Sequence, residues 1–513
     1  MSLIQVSNLT FAYEQSYDNI FENVNFQIDT DWRLGFTGRN GRGKTTFLKL
    51  LLGEYEYKGK ISASVKFEYF PYPVKDEEQL TLDIALEQNP VCELWELQKE
   101  LFQLEVREDV LYRPFSTLSY GERTKVLLAV LFLKENAFLL IDEPTNHLDL
   151  EAREAVGAYL SGKKGFILVS HDRTLLNQCT NYTLAINKAD IQVQKGNFDS
   201  WYENKQRQDE YEFHENEKLK KDIRRLSESA KKTGQWADYV ESTKIGKKAQ
   251  AHGNSGALRA YIGEKSRRMQ QRRKNLEKRQ EKAIEDKKKL LKNIEEPEAL
   301  KMLPECHHGE ILVSFRQVSL GYPYSDREKE KQFQRAAGPL NFSVMNGERV
   351  VLEGGNGCGK SSVLKLLLQA IGGTETDRRK IWYEGTVTVA NGLKISYVPQ
   401  SAEGLEGSLQ DFAVQWDLDW TLFLAILRKL DFSRVQFEKQ IEDFSQGQKK
   451  KVLLAKSLCE KAHLYVWDEP LNYMDIFTRI QLEELILAYK PSMLFVEHDR
   501  AFSDRIATKR IQL

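Results

Sequence analysis

Phe36-Thr37-Gly38-Arg39-Asn40-Gly41-Arg42-Gly43-Lys44-Thr45-Thr46 is the stretch on which the fold turns. Arg33 to Thr37 reads as a short strand, and Phe47 to Leu52 as an apolar helix, so the glycines sit between strand and helix. That context identifies a phosphate-binding loop. Glycines let backbone N–H groups turn toward phosphates, and the helix N-terminus adds its positive end. Lys44 is predicted to neutralise terminal phosphates, and Thr45 to offer a hydroxyl to Mg2+. Gly38, Arg39, Asn40, Gly41, Arg42, Gly43, Lys44, Thr45 and Thr46 are therefore candidate ATP contacts.

Working outward, Phe138-Leu139-Leu140-Ile141-Asp142-Glu143 reads as a buried strand ending in two carboxylates. Beside a phosphate loop, Asp142 suits Mg2+ and Glu143 suits a base that polarises water for in-line attack. The pattern then repeats. Gly354-Gly355-Asn356-Gly357-Cys358-Gly359-Lys360-Ser361-Ser362 is a second loop, between a strand over Arg349 to Leu352 and a helix over Val363 to Leu368. Leu464-Tyr465-Val466-Trp467-Asp468-Glu469 is a second carboxylate strand, making Ser361 and Asp468 metal candidates and Glu469 a second base. Ser119 to Ser445 and Glu143 to Glu469 are both 326 residues apart, and His171 to His498 is 327, as an internal duplication requires.

The duplicates are separated by a stretch of different character. From Lys205 to Ile294 there are 26 Lys and Arg against 14 Asp and Glu, although the whole chain balances at 75 against 75. A basic middle therefore lies between acidic flanks. Leu219, Ile223, Leu226 and Ala230 fall at helical spacing, and Met269, Leu276, Ala283 and Leu290 repeat every seven, the seam of an antiparallel helical hairpin. Between them Gly234, Gly246, Gly253, Gly256 and Gly263 mark a turn. Trp236, Tyr239, Lys244, Lys247, Lys248, Arg259, Tyr261, Arg267 and Arg268 mix aromatics with cations, a composition suited to stacking on bases and pairing with phosphates.

No run approaches the ~18 apolar residues of a membrane helix, and Met1 to Val6 lacks the cationic start and apolar run of a signal peptide. Cys92, Cys179, Cys306, Cys358 and Cys459 show no metal spacing, and free thiols in a reducing cytoplasm are expected. The expected architecture is α/β: two tandem cassettes, residues 1–200 and 305–513, joined by a basic helical hairpin over 201–304.

The ordered motifs resemble those of ABC ATPases. Leu118-Ser119-Tyr120-Gly121-Glu122 and Phe444-Ser445-Gln446-Gly447-Gln448 look like ABC signatures, Asn146-His147-Leu148-Asp149 like a D-loop, and His171 and His498 like switch histidines. Tyr13 sits where the family places its adenine-stacking aromatic, with Tyr322 as the counterpart in the second half. Gln400 matches the Q-loop glutamine that helps hold Mg2+, whereas the first half has Tyr72 in its place. The second D-loop, Leu471-Asn472-Tyr473-Met474-Asp475, also departs from the first. The resemblance implies that ATP is sandwiched between the phosphate loop of one cassette and the signature of the other. Lys44, Glu143 and His171 would then face Ser445, and Lys360, Glu469 and His498 would face Ser119. The expected product is a monomer with intramolecular cassette pairing.

Tandem cassettes without a membrane domain, separated by a charged helical arm, resemble the ABC-F family, and within it the Lsa- and Vga-like antibiotic-resistance branch. That resemblance implies a 70S ribosome partner, with the arm in the tRNA exit site near P-site tRNA and the 23S rRNA of the peptidyl-transferase centre. It also implies displacement of lincosamides, pleuromutilins and streptogramin A compounds. Two other readings stand beside it: a housekeeping ABC-F factor that frees stalled ribosomes, and the ATPase subunit of a transporter, which leaves the basic arm unexplained.

Overall fold

Each phosphate loop grows out of a parallel sheet. The computed structural model describes residues 2–13, 19–145, 148–187, 190–242, 271, 278, 300–323, 333–372 and 381–513. In the first half, β1 (Leu3–Phe11), β2 (Phe21–Asp29) and β4 (Lys58–Ser62) form an antiparallel sheet in which β1 is central. The other strands are β3 (Arg33–Thr37), β5 (Lys66–Phe70), β6 (Ala137–Asp142), β7 (Phe166–Val169), β8 (Tyr182–Asn187) and β9 (Asp190–Lys195). They run in the order β5-β6-β7-β3-β8-β9, parallel except for the last pair.

The second half opens with a short strand, β10 (Leu303–Pro304), and an antiparallel sheet of β11 (Ile311–Pro323), β12 (Phe333–Met345) and β14 (Trp382–Val389). Its parallel sheet contains β13 (Arg349–Glu353), β15 (Ile395–Val398), β17 (Leu464–Asp468), β18 (Met493–Val496) and β19 (Lys509–Gln512). The order is β15-β17-β18-β13-β19, matching β5-β6-β7-β3-β8 strand for strand. The duplication in sequence is thus a duplication in topology. β16 (Lys461–Ala462) pairs with β10, and Leu300 and Met302 bury in the core of this half, so the chain has joined the second cassette before residue 305.

The strands read as unbroken apolar runs because both faces of a parallel sheet are covered. Phe138, Leu140, Ile141, Phe166, Ile167, Leu168, Val466, Trp467, Leu494, Phe495 and Val496 are wholly buried. Register then fixes the chemistry: β6 and β17 end on Asp142 and Asp468, beside Val169 and Val496. The loop helices, Lys44–Leu52 and Lys360–Ala370, start from Gly43 (φ 93°) and Gly359 (φ 96°). A Cβ at Gly43 would lie 2.6 Å from Ile20, and one at Gly359 2.8 Å from Ala337, so space as well as backbone angle calls for glycine.

The chain divides into two compact units, Met1–Trp201 with Glu298–Leu513, and Tyr202–Pro297. Nearly all of the described part of the second lies on one helix, Phe198–Ser242, whose 45 residues span about 68 Å. It starts ahead of Lys205 because Asn197, after Gly196 (φ 123°), caps the Ser200 N–H through its side chain at 3.1 Å. Past Trp201 it is laced with i,i+4 pairs, Lys205–Asp209 at 2.9 Å and Arg224–Glu228 at 3.1 Å among them. Leu219 and Ile223 are half-buried, and the buried Asn216 extends their seam by one step. The rest of the expected hairpin, from Lys244 through the glycine-rich turn to Leu290, lies outside the described residues, apart from Gln271 and Lys278, which are helical and exposed.

Candidate active site

In the first cassette the loop from Gly38 to Gly43 wraps around Lys44, whose ammonium donates to the carbonyls of Gly38 (2.7 Å) and Arg39 (3.3 Å) and to Asn40 Oδ1 (3.4 Å). Thr45 Oγ1 donates to Asp142 Oδ2 at 2.9 Å, and Thr46 shares a 2.8 Å hydrogen bond with the Tyr13 hydroxyl. The second cassette repeats this. Lys360 donates to the carbonyls of Gly354 and Gly355 at 2.8 Å, Ser361 to Asp468 at 3.1 Å, and Tyr322 meets Ser362 at 2.9 Å. The hydroxyl–carboxylate pairs Thr45–Asp142 and Ser361–Asp468 are hard oxygen donors of the kind Mg2+ takes. Asp468 Oδ2, buried and without a partner among the described residues, fits a cation that lends it one.

The two candidate bases stand one step past their strands with left-handed backbones, φ 51° at Glu143 and 48° at Glu469. His171 Nε2 lies 3.3 Å from Glu143, and His498 Nε2 lies 3.5 Å from Glu469. Here the halves part. Glu469 also accepts from Gln400 Nε2 at 2.9 Å and Asn472 Nδ2 at 2.7 Å. Burial pushes its carboxyl up, but His498, Gln400 and Asn472 outweigh burial and hold it at about 2. Glu143 accepts instead from the His171 backbone N–H, at 3.4 Å. Burial, with Asp142 adding to it, raises Glu143 to about 7, while burial and the charge of Lys44 hold His171 well below its ordinary value.

Gln400, expected beside the metal, therefore reaches the candidate base Glu469. Its loop is held by Lys450, whose buried ammonium donates to the carbonyls of Pro399 (2.6 Å), Gln400 (3.1 Å) and Asp468 (3.1 Å). Burial lowers Lys450 to about 8. The residue matching it by the 326-residue repeat is Thr124. At the glutamine's place in the first half, the Tyr72 hydroxyl is buried without a partner among the described residues. Tyr69 donates to Asp142 Oδ2 at 2.9 Å. Sequence reasoning missed Lys450, Tyr69 and Asn472 as site residues, since each reaches the site from a separate loop, strand or helix.

Ser119 and Ser445 cap the signature helices Tyr120–Phe132 and Gln446–Cys459, each closing a capping box with Glu122 or Gln448. A cavity of about 560 Å³ is lined by Ser119, Gly121, Lys125 and Asp149 from the first cassette and by Asn356 from the second loop. The first loop meets the second cassette likewise: Asn40 Nδ2 donates to the Tyr473 carbonyl at 3.1 Å, and Arg39 pairs with Asp431 at 2.6 Å. Gly447 lies against Tyr473, so the second signature flanks that contact. Asn146 and His147 of the first D-loop lie outside the described residues, as do Lys244, Lys247, Lys248, Arg259, Tyr261, Arg267 and Arg268; Trp236 and Tyr239 fall on the helix Phe198–Ser242. No helix among the described residues is long and apolar enough to cross a membrane.

The family model described as "ABC transporter" matches twice, at residues 21–146 and 337–472. The chain is 28% identical to the ATP-binding protein Uup of Caulobacter vibrioides, over 96% of this chain and 74% of that one. It is 25% identical to the ribosome protection protein VmlR of Bacillus subtilis, over 98% and 85% respectively. Among solved structures it resembles the archaeal ribosome recycling factor aABCE1, crystallised with the ribosomal stalk protein aP1. The TM-score is 0.60 at 16% identity, covering 98% of this chain and 87% of that one, a likeness of fold alone.

Proposed function

Since the chain belongs to the ABC transporter family and is an ATPase of ABC-F type that uses ATP with Mg2+, we propose that it is a ribosome protection factor of the cytoplasm. It enters the tRNA exit site of the 70S ribosome and displaces lincosamide, pleuromutilin or streptogramin A drugs from the peptidyl-transferase centre. The observation that carries this reading is the basic stretch from Lys205 to Ile294, 26 cations against 14 anions, set between acidic cassettes. Phosphate-rich RNA is the partner such a charge excess suits. The likeness to VmlR supports it.

ATP binding draws the phosphate loop of each cassette onto the signature of the other, and hydrolysis releases them. The contacts of Asn40 with Tyr473, and the cavity shared by Asn356 and Ser119, support this pairing. Trp236, Tyr239, Lys244, Lys247, Lys248, Arg259, Tyr261, Arg267 and Arg268 are the residues proposed to meet rRNA and tRNA.

The test is drug susceptibility of a sensitive bacterium expressing the chain, beside a copy lacking residues 244–260. Resistance from the intact protein and none from the shortened one supports protection. Unchanged susceptibility, with salt-sensitive ribosome sedimentation and ATPase activity intact, replaces it with a housekeeping translation factor.

A further inference from the structure

Where the two cassettes meet, a buried cluster of four charges lies between the two switch loops. Arg153 stands four residues beyond Asp149 on the helix Leu150–Ser161, and Arg479 four beyond Asp475 on the helix Ile476–Tyr489. Each tethers the turn before its own helix: Arg153 Nε donates to the Leu148 carbonyl at 3.0 Å, and Arg479 Nε to the Met474 carbonyl at 3.1 Å. Each also meets the aspartate that follows its own switch histidine, Arg153 with Asp172 at 3.6 Å and Arg479 with Asp499 at 2.8 Å. Those side chains are between 5% and 12% exposed.

The cluster also crosses between cassettes. Arg153 Nη1 donates to the carbonyl of His498, the opposite switch residue, at 3.5 Å. Arg479 and Asp499 both lie within electrostatic reach of Asp172, one attracting and the other repelling. Arg500 pairs with Glu154 over the same boundary. Two buried carboxylates disfavour each other's charge unless cations stand between them. Each cassette balances its own aspartate, but bringing the switch loops together requires both guanidiniums in place.

We propose that Arg153 and Arg479 are positioning residues that couple the two ATP sites, each setting the switch loop of the opposite cassette. The inference rests on the pairing of the cassettes around ATP and is independent of what the arm binds. Each is taken to act through the histidine loop on the far side, and Arg479 also lies within electrostatic reach of His171 and Glu143 there.

The experiment uses the full-length protein without ribosomes and reads each site alone. Glu469→Gln leaves the site of Glu143, and Glu143→Gln leaves the site of Glu469. Single-turnover hydrolysis of labelled ATP, with protein in excess, is then measured with Arg479→Met or Arg153→Met added. Arg479→Met is expected to slow the Glu143 site by about fivefold or more and the Glu469 site by less than about twofold; Arg153→Met gives the mirror result. Arg→Lys variants, which keep the charge, recover part of the loss and carry the same test if a Met variant does not fold. A loss confined to the arginine's own cassette, an equal loss at both sites, or no loss overturns the proposal. Retention of ATP by the Glu143→Gln, Glu469→Gln double variant reads the pairing separately, so a failure there is distinguishable from a failure of coupling.

Discussion

The two halves share a sheet order and differ in how they hold the candidate base at the end of its strand. Glu469 is bonded by Gln400 and Asn472 and flanked by His498, in a loop fastened by Lys450, so it stays charged. Glu143 has Tyr72 where the glutamine belongs and Thr124 where the lysine belongs, and its carboxyl sits near neutrality. Backbone topology survived the duplication, whereas the donors around one carboxylate did not. Donors change with single residues, but a strand order changes only with the whole cassette, so chemistry diverges before architecture does.

The largest expected effect breaks or keeps this asymmetry outright. Glu469→Gln is expected to lower steady-state ATP turnover roughly hundredfold, and Glu143→Gln by less than about threefold. A larger loss from the Glu143 change reverses the ranking of the sites. The next effect is on pH. A carboxyl raised to about 7 serves as a base only once deprotonated, so the Glu143 site gains activity as pH rises through that value. In the Glu469→Gln protein, turnover is expected to climb about tenfold between pH 6 and 8; in the Glu143→Gln protein it stays flat, because Glu469 is ionised throughout. A matching pH profile in both proteins removes the electrostatic part of the contrast. The smallest effect concerns Tyr72. Removing a buried hydroxyl without a partner, as Tyr72→Phe, is expected to leave turnover unchanged and to raise unfolding stability by up to about 1 kcal/mol in thermal melts. A fall in turnover would show that this hydroxyl has taken over work done by Gln400 in the other half.

Both phosphate loops and both carboxylate strands were legible because their chemistry needs neighbours in sequence: glycines before a lysine, an apolar run before two acids. The donors to Glu469 were legible only in part: Gln400 was read as a metal candidate and Asn472 stood in the altered D-loop, but only the fold brings their amides to the carboxylate and brings Lys450, from another helix, to the Gln400 loop. Tyr473 shows the opposite limit. Its departure from the D-loop pattern was visible, yet the contact to Asn40 uses its carbonyl, which any residue offers. The arm helix was read from its apolar seam, and its start was missed because Gly196 and Asn197 signal a cap rather than a periodicity.

Glu143 and Glu469 occupy left-handed backbone, at φ 51° and 48°, where a residue with a Cβ gives up about 1 kcal/mol or more of conformational energy. The residues proposed to polarise water are therefore also places where the fold is held slightly uphill. A glycine there suits the backbone and forfeits the chemistry. Hydrolysis in this chain is thus a property that drift toward greater stability erodes, and two such positions in one polypeptide give that drift two separate points of entry.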